Sequence, residues 1–316
     1  MISFEENYIA LTLKLAKKGQ FFTSPNPHCG AVLVKGGKII GKGYHKKFGG
    51  PHAEILAIES VKDKRLLKGA TLYSLLEPCS HYGKTPPCTE RIIREGIKEV
   101  VYAMDDPNPL VKGKEVLENA GIRVKRGVKE KEAKELNEWY IKYMKEKKPY
   151  VTLKAALTLD GKMATKGGES KWITGEKARD FSNLLRCEQD AILVGINTVI
   201  KDNPRLTCRR IKKAMKRVIL DQREELEKKG VKVISVKEDK GLLSWDEILN
   251  GLYQLGCAKI LIEGGARVFS SALKGGIVDK MLLFFAPKIL GTGLSFTEKL
   301  SFGSLQEAIE LKEGKV

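Results

Sequence analysis

The chain has 316 residues, room for about two domains on length alone, and 42% of them are hydrophobic at a mean hydropathy of −0.25, which suits a soluble protein with sizeable cores. No apolar run reaches the ~20 residues that a membrane-spanning helix needs. Fifty-seven basic residues against 39 acidic ones leave a formal charge of +18. That charge fits an anionic partner (nucleic acid, nucleotide or phosphorylated metabolite) or a Lys/Glu-rich surface of the thermophile type. The lysines are dispersed through both halves, which favours the second reading. The amino end, Met1-Ile2-Ser3-Phe4-Glu5-Glu6, carries acids where a secretory signal carries basic residues, so a cytoplasmic location is expected. Cysteines stand at Cys29, Cys79, Cys88, Cys187, Cys208 and Cys257, and without such a signal they do not read as a disulfide framework. All four histidines (His28, His45, His52, His81) fall in the first 81 residues, which places any metal chemistry there.

Apolar spacing predicts a helix over residues 4–18, with Phe4, Tyr8, Leu11 and Leu15 on one side. Residues 31–34 and 39–43 read as a hairpin across Gly36-Gly37. A helix over 52–61 follows, with His52 and Glu54 in its first turn. Next come a strand over 70–75, a helix over 89–95, a strand over 99–103, a turn over 105–109, a helix over 114–120 and a strand over 122–125. Strands alternating with helices argue for an α/β layered fold. A charged helix is predicted over 131–147, with Leu136, Tyr140 and Tyr143 or Met144 on one face. Lys147-Lys148-Pro149 then marks the best domain boundary, dividing the chain into 1–148 and 149–316. The second half predicts strands over 150–155, 191–195, 217–221, 231–236, 259–263 and 280–286, with helices over 176–187, 244–255 and 267–275. The apolar stretch Met281–Pro287 reads as a buried strand.

The chemistry is concentrated in His52-Ala53-Glu54, Pro78-Cys79 and Pro87-Cys88. One imidazole and two thiolates hold zinc on three corners of a tetrahedron and leave the fourth for water, as a catalytic site requires. Zinc lowers the pKa of that water, and Glu54, not needed as a ligand, can shuttle protons beside it. His-x-Glu followed by Pro-Cys and a second Cys is the zinc-deaminase signature. Eight residues separate the cysteines here, including His81 and Lys84, where nucleoside deaminases often have two. A zinc-stapled binding module without catalysis would have no use for Glu54. A nucleic-acid base deaminase is the rival prompted by the charge, yet the second half shows no aromatic-rich basic motif.

Thr23-Ser24-Pro25-Asn26-Pro27, Gly43-Tyr44-His45, Pro51-His52-Ala53-Glu54, Leu76-Glu77-Pro78-Cys79-Ser80-His81, Gly83-Lys84-Thr85-Pro86-Pro87-Cys88 and Asp106-Pro107-Asn108-Pro109 occur in one chain. So do Leu153-Lys154, Ser170-Lys171-Trp172-Ile173-Thr174-Gly175, Asp190-Ala191-Ile192-Leu193-Val194-Gly195, Asp202-Asn203-Pro204, Glu263-Gly264-Gly265 and Ala286-Pro287-Lys288. Together they closely resemble the bifunctional riboflavin-biosynthesis deaminase/reductase family, over nearly the whole chain. Residues 209–257 are least matched and look shortened, and Cys29 stands where an aliphatic residue is expected.

The resemblance implies a cytidine-deaminase-like three-layer α/β/α domain followed by a dihydrofolate-reductase-like α/β domain. It implies two reactions: zinc-dependent deamination of 2,5-diamino-6-ribosylamino-4(3H)-pyrimidinone 5′-phosphate, then NADPH-dependent reduction of its ribosyl group to a ribityl chain. Zinc would be held by His52, Cys79 and Cys88, with Glu54 catalytic and Asn26 reading the ring edge. Lys84 and other basic residues of the cysteine loop either meet the substrate phosphate or are solvated. A Rossmann glycine fingerprint is absent, and Gly264-Gly265 before a helix supplies bare amides for a cofactor phosphate instead. Along NADPH the resemblance places Ala156, Trp172, Thr198, Asp202, Gly265, Ala266, Arg267, Val268, Phe269, Ser270 and Ser271. Around substrate it places Ser170, Arg186, Leu206, Arg209 and Glu263. Arg186 and Arg209 suit a phosphate through their forked donors. Lys154, Asp202 or a water would be the acid of the reduction. The expected partner is a small phosphorylated pyrimidine, with no nucleic acid and no membrane, and the family implies a homo-oligomer.

Overall fold

The computed structural model describes residues 4–211, 213, 215–221, 232–235, 238–239 and 242–312. The chain separates into two compact units, Met1–Lys148 and Pro149–Val316.

In the first unit, α1 (Phe4–Ala16) precedes a hairpin of β1 (Gly30–Lys35) and β2 (Lys38–Tyr44). Then come α2 (Ala53–Glu59), β3 (Thr71–Leu76), α3 (Cys88–Arg94), β4 (Glu99–Met104), α4 (Gly113–Asn119), β5 (Arg123–Arg126), α5 (Glu130–Leu136) and α6 (Glu138–Glu146). The sheet order is β2-β1-β3-β4-β5. β1 runs antiparallel to β2 and β3, while β3, β4 and β5 are mutually parallel. Neighbouring strand residues point to opposite faces. On β1, Gly30 is packed against Thr12 and Leu15 of α1. Ala31, one residue on, pairs with Gly43, and Gly43 lies against Ala53 and Ala57 of α2. The two helices thus cover opposite faces, and the unit has three layers. Both faces being covered, β3 is buried along its whole length.

The charged segment after Gly127 is not the single helix that its apolar face predicts. It breaks at Asn137, which is fully buried. The Asn137 amide accepts from the His28 N–H (2.8 Å) and donates to the His28 carbonyl (3.1 Å), pairing with the backbone ahead of β1. An asparagine that competes with helical hydrogen bonds in this way favours a helix end over a helix interior.

The second unit contains β6 (Tyr150–Thr158), β7 (Lys162–Thr165), α7 (Glu176–Glu188), β8 (Ala191–Gly195), α8 (Ile196–Asp202), β9 (Lys216–Asp221) and β10 (Lys232–Ser235). A short ladder of β11 (Glu238–Asp239) and β12 (Leu242–Leu243) leads to α9 (Trp245–Gln254), β13 (Lys259–Gly264), α10 (Ala266–Lys274), β14 (Lys280–Ala286) and β15 (Gly293–Ser295). The main sheet, β10-β9-β8-β13-β6-β14, pairs in parallel throughout, and β15 pairs separately with β7. Val151, Leu153, Leu193, Ile260 and Ile262 pack with Trp245, Leu249 and Phe269 in one core, and Ile192, Val194 and Leu261 pack with Leu185 and Leu206 in another.

Three readings of the sequence change here. Met281–Pro287 is not a buried strand: among the described residues β14 is an outer strand paired with β6, and Phe285 is 56% exposed. α8 was not anticipated, because it follows β8 directly from Gly195 with no side-chain cap and opens on β-branched residues. Cys187 and Cys208 form a disulfide, although the cysteines were not expected to make a disulfide framework. They meet because the turn after α8 folds back onto the end of α7.

Candidate metal centre and cofactor cradle

His52 stands in extended backbone at the N-cap of α2, and Glu54 lies in that helix's first turn. Cys79 follows β3, and Cys88 is the first residue of α3. His52 Nδ1 lies 3.4 Å from the Sγ of both cysteines, and the ligand atoms are all within 4.8 Å of one another. A tetrahedral zinc with bonds of about 2.3 Å to sulfur and about 2.1 Å to nitrogen spaces its ligands by about 3.6 Å. The residues fit the ion. A hydrogen bond from Cys88, opposed by burial and aided by His52, draws the Cys79 thiol down to about 4. The same hydrogen bond pushes Cys88 up, with burial adding to it. A dication held between the two sulfurs would favour the thiolate form of both.

Close packing secures both legs of this tripod. A Cβ on Gly43 would collide with the Ala53 carbonyl beside His52, and one on Gly113 with the Pro78 carbonyl beside Cys79.

Glu54 is 4% exposed, and burial pushes its carboxyl above the usual range, partly offset by His52. Its Oε1 accepts from Ser74 Oγ at 2.9 Å, and its Oε2 lies 3.7 Å from Cys88 Sγ. Ser74 is a residue that sequence reasoning missed; the signal was a small polar residue in the middle of an otherwise apolar strand. Cys29 sits behind the carboxylate, 4.0 Å from Oε1 and 3.6 Å from Ser74 Oγ.

Asn26 and His45 form a chain. The Pro51 carbonyl can only accept, so His45 Nδ1 donates to it (3.0 Å) and His45 Nε2 accepts from Asn26 Nδ2 (3.3 Å). Burial holds His45 below its usual pKa, in keeping with a neutral ring. Asn26 keeps its carbonyl oxygen for a ligand in the cavity it lines. His81 lines the same cavity, and its buried Nδ1 has no hydrogen-bond partner. Lys84 is there too, its ammonium 4.0 Å from the centre of the Phe48 ring. Asp106 and Tyr140 complete the wall, with Tyr140 Oη donating to Asp106 Oδ1 at 2.9 Å. Burial pushes Asp106 up to about 6. His28 does not belong to this site: its Nδ1 pairs with Thr23 Oγ1 at 2.8 Å and its ring packs on Trp139.

In the second unit the turns after β8 and β13 come together. A Cβ on Gly264 would press on the Thr198 side chain at 3.1 Å, and Gly265 (φ 92°) faces Gly195, Thr198 and Val268. The space is bounded by backbone at the carboxyl ends of parallel strands, which suits a dinucleotide phosphate. From Phe269 onward the expected cofactor contacts narrow. The Phe269 amide bonds back to Gly265 (3.0 Å) and its ring is core. Ser271 Oγ accepts from Trp245 Nε1 (3.0 Å), and Ser270 Oγ from the Lys299 N–H (3.3 Å). The amides of Gly265, Ala266, Arg267 and Val268 remain for a phosphate.

Arg186 of α7 grips Glu263 of β13 with two nitrogens: Nε lies 2.9 Å from each carboxylate oxygen and Nη2 2.7 Å from Oε2. Lys154 and Ala156 lie on one face of β6, paired with Leu282 and Phe284 of β14. The Lys154 ammonium is 5.6 Å from the Phe284 ring, and burial lowers its pKa. Trp172 is 65% exposed, with the Arg179 guanidinium 4.6 Å from its ring centre. Ser170 lies in the same loop between β7 and α7. Leu206 is 4% exposed and packs in the core with Leu185 and Ile192, while Arg205, Arg209 and Arg210 of the same turn are exposed. Asp202 closes α8, and its side chain lies outside the described residues.

Comparison with known proteins agrees with both halves. Residues 2–104 match the cytidine and deoxycytidylate deaminase zinc-binding region, and residues 149–315 match the RibD C-terminal domain. The riboflavin biosynthesis protein RibD of Aquifex aeolicus is 46% identical over 344 residues, covering 99% of this chain and 95% of the relative. A Thermotoga maritima crystal structure, described as a diaminohydroxyphosphoribosylaminopyrimidine deaminase/5-amino-6-(5-phosphoribosylamino)uracil reductase, is 43% identical with a TM-score of 0.86 over 96% of this chain and 92% of that one. The Acinetobacter baumannii RibD structure is 36% identical with a TM-score of 0.89, covering 99% and 95%. The clustered His52, Cys79 and Cys88, the two matched family regions and full-length similarity lead to one conclusion: this chain belongs to the RibD family of riboflavin-biosynthesis enzymes, a zinc-dependent hydrolytic deaminase joined to an NADPH-dependent reductase.

Proposed function

We propose that residues 1–148 carry the deaminase and residues 149–316 the reductase, acting in turn on a phosphorylated diaminopyrimidine and its deaminated product. The observation that carries the first half is the approach of His52, Cys79 and Cys88 with Glu54 beside them. Zinc held by His52, Cys79 and Cys88 would supply an acidified water for attack on the ring carbon that bears the exocyclic amine. Glu54 moves the protons. Ser74 anchors Oε1, so Oε2 is the oxygen that would take the two water protons in turn, passing one to the ring nitrogen and the other to the leaving amine. Asn26, oriented by His45, reads the ring edge, and the unsatisfied Nδ1 of His81 finds its partner on the substrate. Lys84 meets the phosphate.

In the second half, bound NADPH would supply the hydride for the first sugar carbon. Gly265 to Val268 and Thr198 hold its phosphate, and Ala156, Trp172 and Asp202 lie along it. Glu263, held by Arg186, and Ser170 bind sugar hydroxyls. Arg209 and the remaining Arg186 nitrogen take the substrate phosphate. Lys154 lies between Glu263 and Phe284 with its charge disfavoured by burial, which suits a proton donor to the opened imine nitrogen. The protein works in the cytoplasm as a homo-oligomer.

The test is incubation of the purified protein with the diaminopyrimidine phosphate, with and without NADPH, followed by mass analysis. Ammonia should be released in both cases, and two hydrogens should be added only with NADPH. Release of no ammonia would overturn the reading of the first half, and no reduction of the deaminated product that of the second. Sedimentation velocity checks the oligomer.

A further inference from the structure

The disulfide occupies a telling place. Cys187 directly follows Arg186, and Cys208 directly precedes Arg209. We propose that the Cys187–Cys208 bond is a positioning element of the reductase: it fixes the turn after α8 against the end of α7, so that Arg186 and Arg209 are presented together to the substrate phosphate. This rests on the phosphate-binding reading of the two arginines.

The two arginines need such help to different degrees. Arg186 stands on a helix and is clamped to Glu263, which is buried. Arg209 is exposed on a turn without regular structure, and its placement depends on what holds that turn. Leu206 fills the core below, in backbone of positive φ (48°). The Arg209 N–H donates to Asn183 Oδ1 of α7 (2.8 Å), and Arg210 pairs with Asp180 of α7 at 3.6 Å. That ion pair is exposed and contributes little. The bond between Cys187 and Cys208 is the covalent tie in this set, closing a loop across a separation of 21 residues. A cross-link of this kind removes alternative loop conformations, and it acts here one residue from each phosphate-binding side chain. Cys29, Cys79, Cys88 and Cys257 take part in no disulfide.

The experiment compares wild type, the double variant Cys187→Ser/Cys208→Ser and Arg209→Ala, assaying reduction of the deaminated substrate with and without its phosphate. Thiol titration of unfolded, unreduced wild type under chelation comes first. Four free thiols are expected; six would overturn the proposal. The double variant should raise KM for the phosphorylated substrate by about tenfold with kcat changed much less, since misplacing a binding group by an ångström weakens positioning. Its reduction of the dephosphorylated substrate should match wild type, which a merely structural loss would not allow. Arg209→Ala should lose the same phosphate preference. If Arg209→Ala loses it and the double variant keeps it, the positioning role is wrong. If Arg209→Ala itself keeps the preference, the phosphate reading of Arg209 fails, and the proposal with it.

Discussion

Glu54 and Arg186 carry opposite predictions because each serves one reaction. Glu54→Gln keeps the tripod, so zinc content should be unchanged while ammonia release falls by about a thousandfold, the scale of a lost proton shuttle. NADPH oxidation on the deaminated substrate should stay at the wild-type rate, and elemental analysis beside the two assays checks all three outcomes. Arg186→Ala should do the converse. It also leaves the Glu263 carboxylate buried without its partner, which costs about 3–5 kcal/mol. Chemical denaturation should show that loss, and Glu263→Gln in the same chain should restore part of the stability without restoring reduction. Much at this scale was legible in the sequence, since His52, Glu54, Cys79 and Cys88 form a pattern that few chemistries share. Ser74, Asp106 and Tyr140 were not, because a serine in a strand or an aspartate in a turn has no chemical signature until a fold aims it. Arg186 and Glu263 were both singled out, but their pairing across 77 residues could only come from the register of α7 over β13.

At the scale of elements, Asn137 decides where one helix ends and the next begins. Asn137→Ala removes both hydrogen bonds to the buried His28 backbone, and an unsatisfied buried pair costs about 3 kcal/mol. The expected result is a lower melting transition for the deaminase unit by several degrees, read by calorimetry, with the reductase transition unmoved. Periodicity could not show this break, because Leu136, Tyr140 and Tyr143 keep helical spacing across it. The same limit hid α8. Strands β3, β4, β8 and β13 were plain from their apolar runs, since a sheet covered on both faces demands them. β14 misled for the same reason: its apolar residues serve an outer strand, and only the sheet order distinguishes the two cases.

At the scale of the whole molecule, the two chemistries should be separable. A strong zinc chelator should abolish ammonia release and leave NADPH-dependent reduction unchanged, since the cluster able to hold a metal among the described residues is that of His52, Cys79 and Cys88. Stability should also carry a mark of Lys259, which is 6% exposed. Burial lowers its ammonium from 10.5 to about 8. Between those values the unfolded chain binds a proton that the folded chain has released, so stability rises with pH across that window, by at most about 3 kcal/mol. Lys259→Met should flatten the rise, visible as a smaller gain between pH 8 and pH 10 in urea midpoints than wild type shows. The packing at Gly43 and Gly113 has a broader consequence for how this protein tolerates change. Neither residue touches the ion or the substrate, and neither has a side chain to lose. Yet adding one carbon at either place shifts a leg of a coordination sphere whose bond lengths vary by only about 0.2 Å. Among the positions least free to drift are thus two whose contribution is empty space.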